Sequence, residues 1–406
     1  MFRNVALAAI LVGALVACAP AAPSPTVAPA KPAAPTTAEA KPEAAKPAAP
    51  APAKEQPAKP AGAGLDRARQ EAEARGYKFV ASHDEIVEKA RQEGALRSLA
   101  SLDKETIKVA KEGFSRQYPF IKFDLQEITG TEAERFVLEI KAGTATEKWD
   151  SSHLTPEIYP EYLPYLEKYD LLAMAEQGVL KIPPKMVDPA NRNVLAAGTA
   201  LAAFTYNKKL LAADKAPRAW EDFLKPEFKD KKFVVDIEPS NLASLWPLKG
   251  EQWVLDYARK IGAQEPVWAR GDTRVLTALG GGEYALHFAS NYHSAVRARD
   301  KAPDVVEIVV PDPVPVRLAE TEGILKGAKN PHAAMLWLEY LASPEGQKLL
   351  DDIEPMKSSI YIPGGKVEQA VKGKTVSLLD WKDLQKRGDY VQAITKEWGF
   401  PKSEVK

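Results

Sequence analysis

"ALRSLASLDKETIKVAKEGFSRQYPFIKFDLQEITGTEAERFVLEIK", residues 95–141, decides the fold class. Residues 95–100 form a short apolar run of the kind a buried strand needs. Ser101 and Asp103 then precede residues 104–118, which carry apolar side chains at helical spacing. Residues 121–128, "IKFDLQEI", alternate apolar and polar, the mark of a strand with one buried face. Helical spacing returns through Lys141. Strand, helix, strand and helix in that order imply parallel strands with right-handed crossovers, hence an α/β protein.

The pattern extends in both directions. Residues 84–93 read as a helix stopped by Gly94. Residues 198–211 read as an apolar strand leading into a short helix, and 233–237 as a buried strand. Residues 250–262 are helical, with glycine at both ends. "GDTRVLTALGGGEYALHFASNYH", residues 271–293, reads as a capped helix, a glycine stop and a strand. Residues 304–311 form another strand. Pro331 and Pro344 each open a C-terminal helix, where a missing backbone N–H costs nothing.

The N-terminal end differs. Arg3 precedes an apolar stretch, residues 5–17, too short for a span of about 20 residues. Residues 1–17 read as a signal peptide. The break, "LVAC" at 15–18, holds the only cysteine of the chain. It resembles the lipobox of bacterial lipoproteins, which implies lipidation at Cys18. No disulfide can form within the chain. Residues 18–64 then make a Pro/Ala/Lys linker without apolar periodicity, expected to be disordered. At about 3 Å per residue it would be a long leash. Residues 65–406 exceed what one core usually serves, so two lobes are expected. The 55 basic and 55 acidic residues balance, which argues against a nucleic-acid partner.

No motif signals catalysis. "LGGGE" follows a helix instead of preceding one, so it is a helix stop and not a phosphate loop. The chain has no HExxH, GxSxG or paired-cysteine motif, and its histidines, His83, His153, His287, His293 and His332, are scattered. Two loci carry more interest. Asp272-Thr273 stands at a helix start, where free N–H groups favour an anion. Ser290-Asn291-Tyr292-His293 closes a strand with polar groups, and strand ends in open α/β sheets are where ligands bind.

The order of these segments resembles the extracellular solute-binding proteins of ABC importers, in particular the ferric-ion-binding group. The likeness is carried by "DEIVEKARQEGALRSLASLDKETIKVAKEGFSRQYPFIKF", "FVLEIKAGTATEKWD", "AFTYNKKLL", "APRAWEDFLKPEFKDKKFVVD", "GILKGAKNPHAAMLWLEYLASPEGQKLL" and "LLDWKDLQKRGDYVQAITKEW". It implies a two-lobed, type II periplasmic-binding fold, each lobe a mostly parallel sheet flanked by helices. The first lobe would hold residues 65–199 and 318–365, the second 200–317 and 366–406. A solute would bind between them, close the cleft by hinge motion and be delivered to a membrane permease. The protein would be a monomeric extracytoplasmic lipoprotein, not an enzyme, and would need no cofactor.

The resemblance carries the ligands over only in part. Ferric binders have adjacent tyrosines where this chain has Tyr292-His293. They have a histidine where it has residues 98–103, and a glutamate near Thr155. Losing most of these oxygen donors favours a small organic or oxyanion solute over a ferric ion. The expected cleft residues are Ser98, Ser101, Ser151, Ser152, Thr155, Tyr206, Asp272, Thr273, Tyr292 and His293. The alternatives are ferric-ion or other metal binding through Tyr292 and His293, or solute sensing for a signalling partner. The sign of the solute's charge stays open.

Overall fold

The computed structural model describes residues 61–128, 130–154 and 156–400. The signal peptide, Cys18, the linker up to residue 60 and Thr155 lie outside the described residues. Ten strands are present among them: β1 Ala95–Ala100, β2 Lys122–Glu127, β3 Ser151–His153, β4 Val194–Asn207, β5 Val234–Asp236, β6 Val267–Ala269, β7 Leu286–Asn291, β8 Val306–Val309, β9 Val314–Ile324 and β10 Val376–Leu379. They run in the order β2-β1-β3-β9-β4-β7-β5-β6, with β10 on β9 and β8 on β4.

The opening stretch folds as its periodicity requires. β1 pairs in parallel with β2 and β3, and the helices Lys104–Gln117 and Gly130–Lys141 make the crossovers. Gly94 ends the preceding helix at φ 67, a conformation that penalises a Cβ. Parallel ladders join β10 to β9 and make the two wings of the sheet. Its centre is antiparallel, where the long strands β4 and β9 pair from Val194–Gly323 to Leu201–Val316. The expectation of mostly parallel sheets therefore holds for the wings and for β10 on β9, but not for the β4–β9 centre.

β4 and β9 pass from one apolar core to another. The first core packs Phe114, Phe123, Trp337 and Tyr340 around β1 and β2. A further cluster beside it includes Tyr159, Tyr162, Leu318 and Leu379. The second core packs Phe204, Trp220, Phe223, Phe233 and Phe288. All fourteen residues of β4 are buried, as a strand covered on both faces must be. These cores are the two lobes. The C-terminal segment serves more than one of them. Leu379, Trp381 and Leu384 join the cluster beside the first core, whereas Ile394 and Trp398 join the second.

Two local expectations fail. After Asn207 the chain makes turns, not a short helix. Tyr292 and His293 do not close strand β7, which ends at Asn291; they open the helix Tyr292–Lys301. The alternation of the strand runs into the helix without a glycine or proline between them, so periodicity alone placed the boundary too late.

Candidate functional site

Where β4 and β9 cross between the cores, buried charges gather. The helix Pro344–Ile353 and the loop after it are tied to β4 by Gln347 Nε2 on the Ala197 carbonyl at 2.7 Å and by Thr199 N on the Lys357 carbonyl at 2.9 Å. A Cβ on Gly198 would stand 2.8 Å from that carbonyl and 2.9 Å from Glu320 Cγ, so only glycine permits this approach. It brings the Lys357 ammonium, 7% exposed, to Glu320 Oε1 at 3.1 Å, Glu354 Oε2 at 2.5 Å and the Ser101 carbonyl at 3.1 Å. Glu354 Oε1 also accepts from Thr106 Oγ1 at 2.7 Å and from Asp103 N at 3.0 Å.

Electrostatics follow from this packing. Burial works against both charges of the Lys357–Glu354 pair. Even so, the two carboxylates hold the ammonium above its ordinary value, and Lys357 with Thr106 and His293 holds Glu354 below its own. Glu320 is left at the opposite extreme. Burial, aided by Glu354, pushes it up to about 7 despite Lys357. Glu322, two residues on, is also raised well above its ordinary value by burial and by Glu320. Glu320 also has a positive φ of 48 inside a strand. Strain of this kind persists only where the surroundings impose it.

The second lobe contributes a matching set. Arg317 on β9 donates to Asn241 Oδ1 and, at 2.7 Å, to Asn291 Oδ1. Asn241 in turn donates to the carbonyl of Ala289 at 2.6 Å, and Ala289 has φ 53. Asp272 Oδ1 meets His287 Nε2 at 3.0 Å and accepts from Asn291 N at 3.2 Å. Its Oδ2 is buried with no hydrogen-bond partner among the described residues. Arg297, on the helix after β7, pairs with Asp103 in the loop after β1, a brace between the two lobes.

His293 senses both sides. Burial, the Lys357 ammonium and the Arg317 guanidinium push its imidazole down to about 4, against the pull of Glu354 and Asp272. The ring is therefore neutral at pH 7. An unfolded histidine titrates near 6.5. Its contribution to stability is thus complete above about 6.5 and is lost as pH falls toward 4, at most about 3 kcal/mol. His293→Gln is expected to remove that part of the acid slope. Urea midpoints of both proteins at pH 7 and 4.5 check this; equal slopes would refute the neutral ring.

The sequence-expected residues divide into distinct groups. Asp272 and His293 stand in this charged group, and Ser101 reaches it through its carbonyl. Ser98 and Ser151 are buried against each other, Oγ to Oγ at 2.9 Å, and Ser152 Oγ donates to the His153 carbonyl. Thr273 is exposed on its helix. Tyr292 leans on the apolar cluster of Leu201, Val314 and Val316. Tyr206 is a correction: it is 4% exposed within the second core, because its position on β4 lies past the crossing. Thr155 lies outside the described residues. Sequence reasoning missed Lys357, Glu354, Glu320, Arg317 and Asn241. One signal was available: "VPVRLAETEGI" places Arg317, Glu320 and Glu322 inside an otherwise apolar strand.

Two cores joined by shared strands, with polar groups from both lobes converging at the crossing, define a two-lobed binding protein of the periplasmic type. Residues 164–387, more than half of the chain, match the family model of bacterial extracellular solute-binding proteins, and the chain belongs to that family. Membership places it outside the cytoplasm. No curated protein matches the chain in a sequence search. Solved structures match in fold. A Trichodesmium protein (IdiA, FutA) in complex with iron and citrate is 19% identical, with a TM-score of 0.56 over 75% of this chain and 99% of that one. The ferric binding protein of Campylobacter jejuni is 16% identical, at 0.60 over 75% and 100%. AfuA of Actinobacillus pleuropneumoniae, with fructose-6-phosphate bound, is 20% identical, at 0.55 over 75% and 97%. No helix among the described residues is long and apolar enough to cross a membrane.

Proposed function

We propose that the chain is the substrate-binding lipoprotein of an ABC importer. It captures a small solute between its lobes as a monomer and hands it to membrane permease subunits. Cys18 carries the lipid, and the segment up to residue 64 lets the binding lobes search near the permease. The lobes comprise residues 65–199 with 318–365, and 200–317 with 366–406, apart from the stretch around Leu379–Leu384 that packs with the first.

The observation that supports this reading most is the group of charged and amide side chains drawn from both lobes. Buried charges are costly to a structure that does not use them. Here Lys357 and Glu354 come from one lobe and Arg317, Asn241 and Asp272 from the other, and His293 feels both sets. A small organic or oxyanion solute, held by Ser101, Asp272 and His293, fits hydrogen-bonding groups of this density. A second reading is ferric ion held by Tyr292 and His293. A neutral imidazole favours it, and the lean of Tyr292 toward apolar residues disfavours it.

A thermal-shift panel on the full chain tests both. It would contain ferric ion with and without citrate, sugar phosphates, phosphonates, organic acids, sugars, polyamines and thiamine. One-site binding at about 100 times Kd adds roughly 2.7 kcal/mol, a shift of several degrees. A shift with one organic class and none with ferric ion supports the first reading. A ferric shift that Tyr292→Phe abolishes supports the second. Silence across the whole panel, repeated with extracts of small metabolites, would count against solute capture.

A further inference from the structure

We propose that His153, Glu320 and Glu322 form a site for one divalent transition-metal ion, on β3 and β9 and separate from Tyr292 and His293. The backbone places the three together. His153 pairs with Glu322 across the antiparallel β3–β9 ladder, and directly opposed residues share a face. Glu320 stands two residues before Glu322, the spacing that returns a strand to the same face. The ladder between β4 and β9 skips the pair at Ala197 and Glu320, where Glu320 takes its positive φ.

One ligand atom from each side chain lies within 4.8 Å of the others. His153 Nδ1 is 3.9 Å from Glu320 Oε2 and 4.0 Å from Glu322 Oε1. An ion bonded at about 2.0–2.2 Å to each would hold such atoms roughly 3.3 Å apart. The side chains need to close by roughly 0.6 to 1.5 Å.

Two further observations point to a cation. Glu320 Oε2 and Glu322 Oε2 are buried without a hydrogen-bond partner among the described residues, and the two residues are 6% and 1% exposed. Native structures rarely leave such groups unsatisfied. Lys357 meets only the other oxygen of Glu320, and its charge is already balanced by Glu354. One imidazole with two carboxylates suits zinc and its neighbours, whereas calcium needs six or more oxygens. A fourth position is left for water or a solute group.

The test uses the full chain, stripped with chelator and dialysed against about 10 µM zinc. One zinc per chain is expected. Glu322→Gln is expected to weaken uptake at least about 100-fold, the upper end of what losing even an outer-shell partner costs, and Tyr292→Phe to leave it unchanged. Absence of uptake by the wild type overturns the proposal. So does unchanged affinity in both Glu322→Gln and His153→Gln, or uptake lost in Tyr292→Phe. Should the glutamine variants lose their circular dichroism signature, X-ray absorption of the zinc-loaded wild type decides. One imidazole with oxygen neighbours supports the site; oxygen alone or several imidazoles overturns it.

Discussion

Replacing Lys357 by methionine is expected to destabilise the protein by about 3–5 kcal/mol at pH 7. The methionine keeps the length of the side chain and removes the charge. Glu354, 1% exposed, and Glu320, 6% exposed, are then left without the ammonium that holds them. The penalty belongs to the ionised carboxylates, so it should shrink as the pH is lowered toward 5 and they take up protons. The contribution of Glu354 in the wild type has the matching sign. Its carboxyl is held below the ordinary value, so its stabilisation is present above about 4.5 and lost as pH falls further. Adding Glu354→Gln to Lys357→Met should recover part of the loss, because a whole ion pair is far less costly to remove than one partner. Urea unfolding of the three proteins at pH 7 and 5 measures this. A loss below about 1 kcal/mol in Lys357→Met at pH 7 would show that the pair does not organise the crossing.

Trp220→Ala is expected to cost about 4–6 kcal/mol. The indole is fully buried, with ring centroids of Phe204 and Phe288 at 5.0 Å and 5.5 Å. Truncating such a side chain removes about 3–5 kcal/mol through lost transfer energy and the cavity left behind. Its Nε1 also donates to the Pro313 carbonyl at 2.9 Å. Leaving that acceptor unmet adds about 1 kcal/mol or more. Trp220→Phe fills most of the space and isolates the hydrogen bond. Leu138→Ala provides the contrast, since Leu138 is 65% exposed and such positions change stability by about 0.5 kcal/mol or less. Calorimetry of the three variants checks the ranking; a Trp220→Ala protein within 1 kcal/mol of wild type would deny the second core its centre.

Local order was legible in the sequence because its causes are local. The period-2 run at 121–128 and the helical spacing at 104–118 became β2 and the helix Lys104–Gln117 almost to the residue. Pro331 and Pro344 sit at the starts of their helices as their missing N–H demands. The site was less legible because its members are distant in sequence. Lys357 meets Ser101, Glu320 and Glu354 only after β9 and the helix Pro344–Ile353 have both docked on β4. Tyr206 was misplaced for a related reason. A long apolar run shows that a strand is buried, but not how far along it the crossing between the lobes falls. Asp272 was found at its helix start for the capping reason, yet its carboxylate turns inward to His287 and the amide of Asn291.

The route of the chain through β4 and β9 has a consequence for biosynthesis. The first core is closed by Trp337, Tyr340 and Leu350, against Phe114 and Phe123 from near the start of the folded part. A nascent chain therefore displays β1, β2 and their helices long before the residues that cover them exist. Contacts of such long range are slow to form. Neither lobe can become native while its C-terminal contributors are still being synthesised. The polypeptide is thus kept open until translation is nearly finished, the state in which a chain can be threaded across a membrane before it folds.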